Sequence, residues 1–310
     1  MGKPKLTIVV NPKSGRAKVS KAISSAINFE SFTPKLDIEI FSSTSYENAS
    51  DLCRRTVENA ITEGPRPDSL VILGGDGMVN LGLNACAQTD VPLGIIPAGT
   101  GDDFARQMAI PATGIAAVSN LMDGHTKKTD LAKISGRLLG ERTERFIGCV
   151  LSSGYDAAVN ARVNRMKFRI GSLSYAWAVL TEMAQLKPRR YRLIIDGQPL
   201  ELDAVLIAIG NGGYFGGGVH ICPRADTLDN KLDLTIIKPV SRRTLVSVFP
   251  KLYGNNFVQH PAIEYRQAVR VELDGDNLIP MADGEAMGDV PLVIESQPAA
   301  VSIIVPKEKK

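Results

Sequence analysis

No stretch of the 310-residue chain approaches the ~18 consecutive apolar residues that a membrane-crossing helix needs. The N-terminal Met1-Gly2-Lys3-Pro4-Lys5 leads straight into a strand-like run with no signal-peptide core, so the expectation is a soluble, cytoplasmic protein whose membrane contact is peripheral. Cysteine is scarce. Cys53, Cys86, Cys149 and Cys222 lie far apart without Cys-x-x-Cys or Cys/His spacing, which excludes a disulfide or zinc framework and predicts reduced, mostly buried thiols. His125, His220 and His260 have no Ser or Cys nucleophile motif nearby, which argues against a hydrolase triad, and the lone Trp177 reads as core. A net charge of only +3 leaves no global basic field to draw the chain onto nucleic acid. No internal repeat or low-complexity stretch is visible either.

What is present is an ordinary globular composition, 44% apolar, in a length that suits two domains. The first third alternates strand and helix. Strand-like runs at 6–10, 36–41, 70–73 and 92–96 are separated by helical patterns at 17–27, 49–63 and 78–87. This alternation predicts an α/β domain on a mostly parallel sheet, whose strand-end loops all leave from one edge. Near Leu131 the pattern changes to strand-like runs at 131–134, 145–150, 191–195, 204–209, 232–237, 269–273 and 292–295, with Asp-Gly turns between some of them. Helical patterns there are confined to 157–166, 173–186 and 242–252. The second domain is therefore read as an antiparallel sandwich or barrel, with the boundary drawn at 128/129.

The central stretch is Leu70-Val71-Ile72-Leu73-Gly74-Gly75-Asp76-Gly77-Met78, an apolar strand that ends on glycines and one carboxylate. The glycines let a ligand lie against the main chain, and Asp76 stands where open α/β sheets bind ligands. Asn11-Pro12-Lys13-Ser14-Gly15 also follows a strand and precedes a helix; it is either an anion-facing loop or an ordinary turn with a serine cap. Gly99-Thr100-Gly101-Asp102-Asp103 puts backbone freedom, a hydroxyl and two carboxylates at a helix start. The glycine cluster at 212–218 is a surface loop or a lid. The segment 226–233 is an Asp-Asn turn or a set of oxygen donors for a hard cation. Met281-Ala282-Asp283-Gly284-Glu285 places two carboxylates around a hairpin glycine, and Lys187 with Arg189-Arg190 reads as a solvated basic face, with a phospholipid headgroup contact as the alternative.

Taken in order, these motifs resemble the soluble diacylglycerol kinase catalytic-domain family, which includes bacterial lipid kinases and sphingosine kinases. The matching residues are Asn11-Pro12-Lys13-Ser14-Gly15, Gly74-Gly75-Asp76-Gly77, 97–105, Asn211-Gly212 with 216–218, 223–226 with Leu232-Asp233, and Asp283-Gly284-Glu285. Gly-Gly-Asp-Gly alone is shared with NAD kinases and the phosphofructokinase-like superfamily. The resemblance implies a nucleotide-binding α/β domain, 1–128 with 298–310 returning to it, and a β-sandwich lipid-substrate domain, 129–297, with the cleft between them. It implies transfer of the ATP γ-phosphoryl group, with Mg2+, to a hydroxyl of diacylglycerol or a related lipid at a membrane surface. Asn11, Ser14, Gly15, Thr44, Gly74, Gly75, Gly77, Gly99 and Thr100 would bind ATP. Asp76 would hold Mg2+, Glu285 would act as general base with Asp283 beside it, and Asp229 with the carbonyls of Asp226 and Lys231 would form a second, structural Mg2+ site.

Two positions depart from the family pattern: Met78 stands where Thr is usual and Asp102 where Asn is usual. An NAD-kinase-like enzyme on a soluble substrate, and a catalytically weak regulator that binds lipid and nucleotide, are the competing readings. Oligomeric state, a homodimer included, is left open.

Overall fold

Short β-branched runs build the first sheet. The computed structural model describes residues 3–12, 36–112, 114–140, 143–154, 187–241, 243–244, 251, 257–283 and 285–307. The helical patterns at 17–27, 157–166 and 173–186, most of 242–252, and Ser14, Gly15, Trp177 and Gly284 lie outside the described residues. The chain divides into two compact units, residues 1–131 with 298–310, and residues 132–297.

In the first unit, β1 (Lys5–Val10), β2 (Asp37–Ser42), β3 (Ser69–Gly74) and β4 (Leu93–Pro97) run parallel in the order β2-β1-β3-β4. Every residue of β3 and β4 is buried, the mark of strands covered on both faces. Among the described residues four helices accompany them: α1 (Tyr46–Glu58), α2 (Asp76–Cys86), α3 (Asp103–Gln107) and α4 (Gly114–Asp123). Leu6, Ile8, Val10, Val71, Leu73 and Ile96 pack with Val118, Leu121 and Ile304 into one core. Ile304 comes from the end of the chain, whose Ile303 pairs in parallel with Leu93 and whose Ala300 carbonyl accepts from the Gln88 amide.

The predicted helix at 49–63 begins and ends earlier than expected. Ser45 caps it by accepting from the Asn48 amide, and Asn59 closes it by donating through both its amide and its side chain to the Arg55 carbonyl. The Gly64-Pro65 stop is thus preceded by an asparagine stop.

Strands β5 (Thr126–Leu138), β6 (Glu144–Ile147), β7 (Val150–Ser153), β8 (Arg189–Ile195), β9 (Gln198–Ala204) and β10 (Leu206–Gly210) follow. After them come β11 (Tyr214–Phe215), β12 (Val219–His220), β13 (Leu232–Ile237), β14 (Ile263–Ala268), β15 (Arg270–Gly275), β16 (Met281–Ala282), β17 (Glu285–Ala286) and β18 (Gly288–Ile304). Within the second unit one antiparallel sheet runs β14-β13-β10-β7-β16-β17. Another antiparallel set runs β9-β8-β15 and on to the first half of β18. Leu151, Ile207, Ile209 and Leu234 from the one, and Tyr191, Leu193, Val271 and Ile294 from the other, share a core, so the unit is a β-sandwich.

Three expectations for this unit are corrected. The single strand at 145–150 is two, β6 and β7, in different sheets. The break falls where the Gly148 carbonyl accepts from the Asn211 side chain and the Cys149 carbonyl accepts from the Asn211 and Gly212 amides. The run at 292–295 is a small part of the 17-residue β18. Strands β9 and β14 were not foreseen; both lie at the ends of their sheets and carry the charged, half-exposed sequences that edge strands use. The four cysteines are buried and free, and burial pushes the Cys53 and Cys222 thiols up to about 12, as inert core thiols require.

Candidate active site

Because β1 to β4 are parallel, the segments after them leave from one edge. The chain passes from β1 outward to β2, returns to β3 and continues to β4, so the winding reverses between β1 and β3. Sheets of this kind open a crevice at that point. Asn11, which follows β1, lies there and donates its amide to the Leu73 carbonyl at 3.2 Å, beside Gly74-Gly75-Asp76 at the end of β3.

The two glycine loops touch main chain to main chain. The Ala98 amide donates to the Gly74 carbonyl at 2.9 Å. A methyl on Gly75 would come within 3.0 Å of the Gly99 Cα, and one on Gly99 within 2.6 Å of the Gly75 Cα and 2.7 Å of Asp102 Oδ1. Glycine is therefore required at both positions for contact between the loops. Asp76 then ties them together: its carboxylate accepts from the Asp102 amide at 3.0 Å and the Asp103 amide at 2.7 Å, capping α3 from outside. Asp102 has left-handed backbone (φ 51°), and its own side chain turns to the Gly99 amide at 2.9 Å. An asparagine would keep that acceptor; the aspartate adds a charge to the same local structure.

Helix α2 starts on Gly75 with no side-chain cap, and its Met78 and Val79 amides return to the Gly75 carbonyl. Such a start presents backbone donors and a positive helix end to an anion. A methyl on Gly77 would meet nothing within 4 Å, so the fold does not demand that glycine, although glycine inside a helix costs about 1 kcal/mol relative to alanine. The open space it leaves suits a closely approaching ligand.

Met78 is buried and lies across Gly74, whose methyl would come within 2.7 Å of the Met78 Cβ. Its role is packing. Met78→Thr is expected to cost about 1–3 kcal/mol of stability, through lost volume and a buried hydroxyl, as read in urea unfolding. Thr44 is exposed, and its amide donates to Asn48 Oδ1 at 3.0 Å, so its backbone serves the α1 cap. Thr100 is exposed in the second loop.

In the second unit, β16 and β17 form a two-residue-strand hairpin with Ala282 opposite Glu285 and Asp283 in left-handed conformation (φ 51°). Glu285 Oε2 accepts from Arg145 Nη2 on β6 at 2.8 Å. No sequence motif flagged Arg145, and with 140 positions between the partners no local spacing could have.

The 226–233 segment forms consecutive Asx turns. Asp226 Oδ1 accepts from the Leu228 amide at 3.1 Å and Asp229 Oδ1 from the Lys231 amide at 3.0 Å. Asp229 and Asp233 both lie 3.4 Å from Gln267 Nε2, and burial, with the Asp229 charge adding, pushes the Asp233 carboxyl up to about 6. Among the described residues no group of three His, Cys, Asp or Glu side chains is placed to hold a metal ion. A cation at 226–231 would draw on backbone carbonyls as well as carboxylate, and that all-oxygen donor set fits a hard cation. The expected basic face is paired: Arg190 bridges Glu201 and Asp203, and Arg189 donates to the Asn277 carbonyl. In the glycine cluster Tyr214 stacks on His220, with ring centroids 4.4 Å apart.

Residues 5–134 match the family model described as diacylglycerol kinase catalytic domain, and residues 149–305 the one described as YegS C-terminal NAD kinase beta sandwich-like domain. A diacylglycerol kinase of Mycobacterium tuberculosis (strain CDC 1551 / Oshkosh) is 33% identical over 305 residues, covering 98% of this chain and 96% of its own. A diacylglycerol kinase of Bacillus subtilis (strain 168) is 24% identical, covering 97% and 96%. In fold, the chain is similar to the crystal structure of a diacylglycerol kinase from Bacillus anthracis (strain Sterne), with a TM-score of 0.74 at 20% identity over 99% of this chain and 98% of that one. The two glycine loops bound by Asp76, the β-sandwich behind the Asp-Gly-Glu hairpin and these matches agree: the chain belongs to the diacylglycerol kinase family, phosphotransferases whose acceptor is an alcohol group.

Proposed function

We propose that the protein transfers the γ-phosphoryl group of ATP to a hydroxyl of diacylglycerol or a closely related lipid, in a Mg2+-dependent reaction at a membrane surface. The observation that carries the phosphate half is the joined pair of glycine loops at the β1/β3 switch point, held by Asp76. The curated relatives' names carry the choice of lipid.

Phosphoryl transfer is mainly positioning and charge neutralisation. Asn11, with Ser14 and Gly15, the backbone of Gly74, Gly75 and Gly77, Gly99-Thr100 and the uncapped start of α2 receive the nucleotide phosphates, with Thr44 nearby. Asp76 would be the carboxylate for the catalytic Mg2+, which when bound neutralises charge on the phosphates, and Asp283 stands beside the general base. Asp76 keeps its two amides while offering its remaining lone pairs. Glu285 accepts the proton of the lipid hydroxyl. The Asp229 carboxylate with the backbone carbonyls of Asp226 and Lys231 would hold a second Mg2+, which would stiffen the 226–233 turns. Among the described residues no helix is long and apolar enough to cross a membrane; on this reading the lipid is taken from the membrane surface.

Incubation with labelled ATP, Mg2+ and either diacylglycerol, ceramide or sphingosine vesicles or soluble NAD tests this. Label is expected in diacylglycerol and is lost on adding EDTA. Label in NADP alone, or in no acceptor, overturns the proposal.

A further inference from the structure

We propose that Arg145 is the positioning residue for the general base: its guanidinium fixes Glu285 through Oε2 and leaves Oε1 as the proton acceptor. This rests on the role given to Glu285 under the proposed function.

The two side chains differ in setting. Arg145 is 12% exposed on β6, whereas Glu285 is 38% exposed at the start of a two-residue strand next to a tight turn. A long cation taken almost wholly out of water demands well-placed acceptors, and the cost is offset by a close charge-assisted bond such as the one to Glu285 at 2.8 Å. The carboxylate, by contrast, sits where solvent or substrate reaches it. A glutamate on so short a hairpin has three side-chain torsions to settle, and the bond to a largely buried guanidinium restricts them. Only Oε2 is engaged; among the described residues Oε1 has no partner. The ion pair is therefore asymmetric in the way a general base needs, one oxygen anchored and the other presented.

In the reaction the lipid O–H bond breaks and its proton passes to Glu285 Oε1. The lipid oxygen bonds to the γ-phosphorus as the bond to the β,γ-bridging oxygen breaks, and ADP carries away that electron pair. Arg145 remains protonated throughout and exchanges no atoms. Glu285 afterwards returns the proton to solvent.

The test compares wild type, Arg145→Ala, Arg145→Lys and Glu285→Gln on diacylglycerol vesicles with Mg2+-ATP, recording kcat, the KM for ATP and the thermal midpoint. Arg145→Ala is expected to lower kcat by ~10- to 10²-fold with the KM for ATP within about twofold, because a displaced base loses reach without touching nucleotide binding. Millimolar guanidinium ion is expected to restore part of that kcat in Arg145→Ala and none in Glu285→Gln. Arg145→Lys, with its compact charge on a flexible stem, is expected to fall between wild type and alanine, and carries the test if the alanine variant does not fold. A kcat for Arg145→Ala within about threefold of wild type overturns the inference. So does a joint loss of kcat, ATP affinity and midpoint with no guanidinium response. If wild type itself phosphorylates none of the lipids, the lipid-kinase reading fails first and takes this inference with it.

Discussion

Glu285→Gln is expected to lower kcat by ~10²- to 10⁴-fold, the usual contribution of a positioned base, while the KM for ATP moves by less than about twofold. Glutamine has the same shape, and its one oxygen can still accept from Arg145, so the hairpin and the ion-pair partner stay in place. What disappears is an oxygen able to take a proton. Steady-state kinetics on diacylglycerol vesicles, together with a thermal midpoint equal to wild type, checks this. A kcat within tenfold of wild type would move the base elsewhere, first to Asp283 across the same turn.

Asp76→Asn is expected to lower kcat/KM for ATP by at least ~10²-fold and to cost about 1–2 kcal/mol of stability. The side chain is almost the same size, but an amide has one oxygen where the carboxylate has two. Both oxygens of Asp76 accept from backbone amides, Oδ2 from Asp102 and Oδ1 from Asp103. The asparagine NH2 would face an N–H, leaving a part-buried donor unmet and pushing the start of α3 away from Gly75. Urea unfolding and nucleotide binding by calorimetry separate this clamp role from metal binding. Unchanged stability and ATP affinity with kcat alone reduced would assign Asp76 to the metal and remove it from the clamp.

Much of this was legible because burial on both faces leaves a plain mark. β3 and β4 are runs of apolar residues bounded by glycine or proline, and their alternation with helices implies the parallel sheet and the shared loop edge. The site was harder. Asp76 stood out as a carboxylate after two glycines, yet its attachment to amides 26 and 27 residues away is a property of the folded edge. Met78 and Asp102 looked like defects in a phosphate site; one fills space against Gly74 and the other braces Gly99, roles that depend on three-dimensional neighbours. The edge strands β9 and β14 escaped notice because an edge carries charge where a central strand carries valine and isoleucine. The length of β18 is hidden by Pro291 and Pro298, which flank the 292–295 run and ordinarily argue against a strand interior.

β18 also bears on how the protein comes into being. Its last residues belong to the first unit: Ile303 lies beside Leu93, the Ile304 carbonyl accepts from the buried Asn120 side chain at 3.2 Å, and the Ala299 amide donates to the buried Asp130 at 2.7 Å. The β-sandwich, by contrast, is one uninterrupted stretch, 132–297. On a ribosome the first unit is begun before the sandwich and closed after it, since its sheet and core wait for residues made after the whole sandwich. A nascent chain halted near residue 297 would hold the described sandwich strands and an incomplete first sheet. Residues made after the whole sandwich thus complete the first unit.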